Sequence, residues 1–162
     1  MWNSFTATLR QLQQQYEKIR ALQDKKRGVL VALDMAGLEA LTAQEELLAT
    51  SVQALEQQRL ALLARIAETI PGVTVQTTME ELALLAPTEA VHRSVLGASR
   101  SLSRIVKETK DRSEANALLM EGLLRAVNRQ LGKIGGAVVD PVYGNTGGEQ
   151  VRHLRKNLDY KA

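Results

Sequence analysis

The sequence predicts an all-α protein: an antiparallel coiled-coil hairpin, one short connecting helix, a long third helix and a flexible C-terminal tail. Three observations predict it. Apolar residues recur at alternating spacings of three and four over most of residues 1–134, the period of a helix that buries one stripe. Only 3% of the 162 residues are aromatic, so the core is built from Leu, Val, Ile and Ala, which suits narrow helix–helix seams. Gln, Glu, Ala, Leu, Lys and Arg, all good helix formers, dominate the chain as far as the Pro71–Gly72 break.

The first helix is expected from about Asn3 to Leu33. Phe5, Leu9, Leu12, Tyr16 and Ile19 form its seam, which then slips by one through Leu22 and Lys26 to Val29, Leu30 and Leu33. Such a slip locally overwinds a supercoil. Gly28 follows three basic residues in the manner of a helix stop, but the apolar spacing persists beyond it, so the helix is read as continuing. Asp34 is an N-cap for the second helix. There Leu38, Leu41, Glu45, Leu48, Val52, Leu55, Arg59, Leu62 and Ile66 step three-four throughout. Folding this helix back about residue 34 brings the charged seam position Glu45 near Lys25 and Lys26. Glu45 and Arg59 are read as register-setting residues, because a polar group at a seam position fixes alignment at some cost in stability.

Ile70-Pro71-Gly72 ends the second helix. Thr78 and Glu81 match a capping box for a short helix over Glu80 to Leu85. Pro87 stops it, and Thr88 caps the next helix. That third long helix, about Thr88 to Ile134, carries Val91, Val95, Ala98, Leu102 and Ile105 on one stripe. Polar Thr109, Arg112 and Asn116 continue the stripe, and Leu119, Leu123 or Leu124, Val127, Leu131 and Ile134 resume it. At 1.5 Å per residue this helix is about 70 Å long against about 45–50 Å for each of the first two, so one end of it is expected to lie uncovered. Gly97 and Gly122 within it call for close helix contact or a bend, since glycine costs up to about 1 kcal/mol in a helix interior. Residues 135–148 hold five of the eleven glycines and read as flexible. Val151, Leu154 and Leu158 then share one face of a short segment that folds only against a partner. The domain reading is therefore a helical bundle over 1–134 and a Gly-rich tail over 135–162.

Several function classes are disfavoured. The absence of cysteine removes disulfides and thiolate metal sites and suits a reducing compartment. No run approaches the roughly 18 apolar residues of a membrane span, and the first residues do not read as a signal peptide, so a cytoplasmic location without stable membrane insertion is expected. The net charge of +3 comes from 21 basic and 18 acidic residues with signs interspersed, which argues against nucleic acid. His92, next to the Val91 stripe, is expected to face solvent, and His153 lies in the tail. No spacing of nucleophile, base or metal ligands emerges, and Gly132-Lys133 lacks the rest of a phosphate loop. The chain reads as a non-enzyme without cofactor or metal that works by binding protein.

The order of features resembles the FlgN-type flagellar export chaperones. The resemblance is carried by Gly28-Val-Leu-Val-Ala-Leu-Asp34, by Leu38-Glu39-Ala40-Leu41 ahead of Gln44-Glu45-Glu46, by Arg59, and by Thr78-Met-Glu-Glu-Leu82 after the Pro-Gly break. Asn116 with Leu118-Leu119 comes next, then Tyr143-Gly144-Asn145-Thr146-Gly147 and the closing Leu158-Asp159-Tyr160-Lys161-Ala162. It spans nearly the whole chain, and the tail motifs are its most distinctive part. The resemblance implies a cytoplasmic chaperone that holds terminal helical segments of hook–filament junction (hook-associated) proteins and delivers them to the flagellar export gate. It also implies that binding lies toward the last helix and tail. Mapped here, the partner-binding residues are Leu119, Leu123, Val127, Leu131 and Ile134 with Val151, Leu154 and Leu158, and Tyr143 and Gly144 are candidate contacts for cargo or gate. The alternative is a structural coiled-coil protein that forms a homodimer through the same stripe.

Overall fold

The computed structural model describes residues 1–74 and 76–135, except for the side chains of Ile134 and Gly135. Four helices come in order: α1 (Trp2–Val31), α2 (Met35–Thr69), α3 (Met79–Leu84) and α4 (Glu89–Gly135). No strand occurs among the described residues. The chain divides into two units, Met1–Ala117 and Leu118–Ala162.

Local chemistry sets the boundaries. The Asp34 carboxylate accepts from the Gly37 backbone N–H at 2.9 Å, starting α2. A Cβ at Gly37 would collide with that carboxylate and approach Val29 to 3.0 Å, so the tight turn needs glycine there. Thr78 and Glu81 complete the expected capping box, with the Glu81 backbone N–H donating to Thr78 Oγ1 at 3.2 Å and the Thr78 N–H donating to Glu81 Oε2 at 2.8 Å. The Thr78 N–H, and next the Thr78 hydroxyl donating to the same Oε2 at 2.9 Å, hold the Glu81 carboxyl below its ordinary value of 4.5. Thr88 Oγ1 accepts from the Val91 N–H at 3.3 Å at the start of α4. Gly28 lies inside α1, as the continuing apolar spacing requires.

Within Met1–Ala117, α2 runs antiparallel to α1, and α4 runs parallel to α1. The first relation follows from Phe5 and Leu9 packing with Leu62, Leu63 and Ile66, while Gln23 and Lys26 meet Glu45. The second follows from Arg10 Nη2 donating to Ser94 Oγ (3.0 Å), Arg20 Nη1 to Glu108 Oε2 (2.7 Å), and Asn116 to Gln23. The apolar core sits at one end, where α3 closes over Phe5, Leu9, Leu62, Leu63, Ile66, Val95 and Ala98 through Leu82 and Ala83. Phe5, Leu12, Ile66, Leu82 and Val95 are fully buried, each contributing about 1.5–3 kcal/mol through burial.

Three expectations need correction. His92 does not face solvent. It is half-buried, and its Nδ1–H donates to the Ala83 carbonyl at 2.8 Å, tying α4 to the end of α3. Leu33 does not continue the α1 seam but is an exposed turn residue. Nothing lies within 4 Å of a Cβ added at Gly97 or Gly122, so close helix contact explains neither glycine. Arg59 pairs with Glu56 on its own helix at 2.8 Å and lines a groove with Leu9, Met79 and Leu102 of the other helices.

Candidate functional site: an exposed stripe beyond a polar clasp

Away from the core, the seam of the first unit becomes polar. Gln23 is almost fully buried, and its Nε2 donates to Glu45 Oε1 at 2.6 Å. Asn116 Nδ2 donates to the Gln23 backbone carbonyl at 2.8 Å and to Gln23 Oε1 at 2.9 Å. Lys26 Nζ donates to Glu45 Oε2 at 2.5 Å, which realises the predicted proximity of Glu45 to the basic run. Three helices thus meet through one clasp whose buried polar atoms are all satisfied. Such a network tolerates only one register, because any sliding would leave buried polar groups unpaired.

Two ion pairs flank the clasp. Arg112 meets Asp24, and Arg20 meets Glu108 at 2.7 Å. The hydrogen bond from Arg20 holds the Glu108 carboxyl below its ordinary value, assisted by the charges of Arg20, Arg104 and Arg112. Thr109, buried two turns earlier on α4, donates to the Ile105 carbonyl at 2.7 Å. The polar section that the sequence placed between two apolar runs of α4 is therefore real and built into the seam.

Past Asn116 the character of α4 changes. From Ala117 to Lys133 no described residue is buried. Leu119 and Leu123 are half-buried, whereas Val127 and Leu131 are 46% and 40% exposed. At 100° per residue these four positions fall within about 120° of one another, so they form a single stripe. Arg125 and Glu121, one turn apart beside it, pair on the helix surface. Ile134 belongs to α4, but its side chain lies outside the described residues, as do Tyr143, Gly144, Val151, Leu154 and Leu158.

Grooves mark the surface of the first unit. A groove of about 470 Å³ between α1 and α4 is lined largely by polar groups, among them Arg10, Gln13, Glu17 and Arg93. A smaller one of about 220 Å³ lies by Leu9, Met79, Leu102 and Val106. No group of three or more His, Asp or Glu among the described residues is placed to hold a metal ion. No helix among the described residues is long and apolar enough to cross a membrane.

Polar satisfaction within the bundle and a row of exposed aliphatic side chains on its last helix define a class: a helical module suited to packing against other helices. The chain belongs to the FlgN protein family, whose model matches residues 1–150. This is a family of flagellar export chaperones. No curated protein and no solved structure matches the chain.

Sequence reasoning found Asn116, Glu45 and Lys26 through their seam positions. It missed Gln23, which sits one position past the Leu22 seam residue. The signal for it was the slip itself, since a shifted seam brings two adjacent residues toward the interior.

Proposed function

We propose that this chaperone works in the cytoplasm, holds the terminal amphipathic helices of hook–filament junction proteins and presents them to the flagellar export gate. The observation that carries the reading is the run of α4 from Leu119 to Leu131, apolar on one face and nowhere buried. A cargo helix freed from its filament partners exposes a stripe of the same kind, and two such stripes cover each other by helix-in-groove packing. Each Å² of apolar surface covered contributes roughly 25 cal/mol, less the cost of ordering the segments that bind. The balance favours an affinity that holds cargo yet releases it. Ile134, Val151, Leu154 and Leu158 extend the apolar surface in this proposal, with Tyr143 and Gly144 contacting cargo or gate.

The test is calorimetric titration of the full chain with the terminal segment of a hook–filament junction protein. Leu123→Ser with Leu131→Ser is expected to weaken binding at least about tenfold, which corresponds to about 1.4 kcal/mol, while the thermal melt stays unchanged. Deletion of 136–162 is expected to weaken binding without altering the melt of 1–117. Undiminished binding by both variants would refute the reading. The same stripe also suits self-association, so light scattering accompanies the titration. A dimer that persists at saturating cargo would favour the homodimer instead.

A further inference from the structure

The turn between α1 and α2 exposes three large apolar side chains within five residues. Val31, Leu33 and Met35 are 66%, 59% and 68% exposed. Leu33 also adopts a left-handed backbone, with φ of 54°. The turn closes through Leu33 N–H to the Leu30 carbonyl (3.1 Å) and Asp34 N–H to the Val29 carbonyl (2.9 Å), a helix stop in which glycine ordinarily stands. Leucine there strains the backbone and packs against little, so neither the turn nor the core accounts for its side chain.

Charge marks the surface further. Between Gly28 and Gln58 there is no Lys or Arg, while Asp34, Glu39, Glu45, Glu46 and Glu56 are acidic. That stretch carries −5, and the remainder of the chain therefore carries +8 to reach the total of +3. Glu45 and Glu56 face the seam and are paired with Lys26 and Arg59. Glu39 and Glu46 are exposed, on the same face of α2 as Met35 and opposite the seam. The exposed cations Lys25 and Arg27 stand on α1, one to two turns behind the tip.

We propose that the hairpin tip and the acidic outer face of α2 form a docking surface for a basic amphipathic helix of another protein. Val31, Leu33 and Met35 supply the apolar contact, and Glu39 and Glu46 meet the partner's lysines or arginines. A lipid surface fits less well. Asp34 lies between Leu33 and Met35 with its carboxylate exposed, and lipid insertion would drive that charge and Glu39 into anionic headgroups.

The test uses the full chain and two labelled synthetic peptides, both with leucines at three-four spacing, one with lysine and the other with glutamate at the remaining positions. Fluorescence anisotropy is expected to show binding of the lysine peptide at least about tenfold tighter than the glutamate peptide, weakening as salt rises. Glu39→Lys with Glu46→Lys is expected to cost at least about tenfold in affinity. Leu33→Gly is expected to weaken binding while leaving the melting temperature unchanged or higher, a combination that misfolding cannot produce. Peptide binding that survives the tip and α2 substitutions would overturn the proposal. So would tip-dependent co-sedimentation with phosphatidylglycerol vesicles, or a dimer that Leu33→Gly dissociates. Cargo binding through α4 is measured separately, so either proposal can fail alone.

Discussion

Replacing Asn116 by alanine probes the clasp that fixes the register of the bundle. Asn116 is 6% exposed and donates to both the carbonyl and the side-chain oxygen of Gln23, itself 2% exposed. Truncation leaves two buried acceptors short of a donor. An unsatisfied buried polar group costs about 1–3 kcal/mol, and the site is too enclosed for bulk water to replace both bonds freely, so about 2 kcal/mol is expected. For a protein of this size that corresponds to a fall in melting temperature of roughly 6–8 °C. The assay is urea unfolding followed by circular dichroism at 222 nm, with Gln23→Ala and the double variant completing a cycle. A coupling energy of about 1 kcal/mol or more is expected, because the two side chains share a bond. A cost below about 0.5 kcal/mol for Asn116→Ala, or strict additivity with Gln23→Ala, would refute the view that this network aligns α1, α2 and α4.

The same geometry sets further outcomes. Phe5→Ala removes a fully buried ring from the core and is expected to cost about 3–5 kcal/mol in chemical unfolding. Leu33→Gly is expected to raise stability by about 0.5–1 kcal/mol in the same assay, since relief of a left-handed cost of about 1–2 kcal/mol outweighs about 0.5–1 kcal/mol of added chain entropy. Thr78→Ala is expected to cost about 1 kcal/mol by removing one half of the capping box. Glu81 and Glu108 both have carboxyl groups held below the ordinary value of 4.5 in the fold, so their contribution is present above that value and is lost as pH falls through the lowered folded values. A pH titration of the melting temperature should therefore fall off below about pH 4.5, and Glu108→Gln should flatten part of that decline. Tyr16, raised above 10.0 first by burial and then by the Glu56 charge, acts in the opposite sense, and its contribution is lost as pH rises above 10.

The helices, their order and most of their ends are legible in the residues themselves, because those depend on period, caps and breakers acting over a few positions. Asp34, the Thr78–Glu81 box and the Pro71–Gly72 break act locally and read as such. The seam positions Val95, Ala98, Ile105, Thr109 and Asn116 are legible too, since a single spacing rule places them on one face and the fold buries all five. Folding back about residue 34 already brings Glu45 to the basic run, whereas the meeting of Gln23 with Asn116 is settled by three-dimensional packing. Gln23 joins Asn116 to Glu45 only because α4 runs parallel to α1 while α2 runs antiparallel, a relation that spans residues more than 90 positions apart. Packing also brings His92 to the Ala83 carbonyl and takes Leu33 out of the seam into an exposed left-handed turn. Periodicity assigns a side chain to a face of its own helix. The neighbour that face meets is set by the docking of distant segments, and no local pattern encodes it.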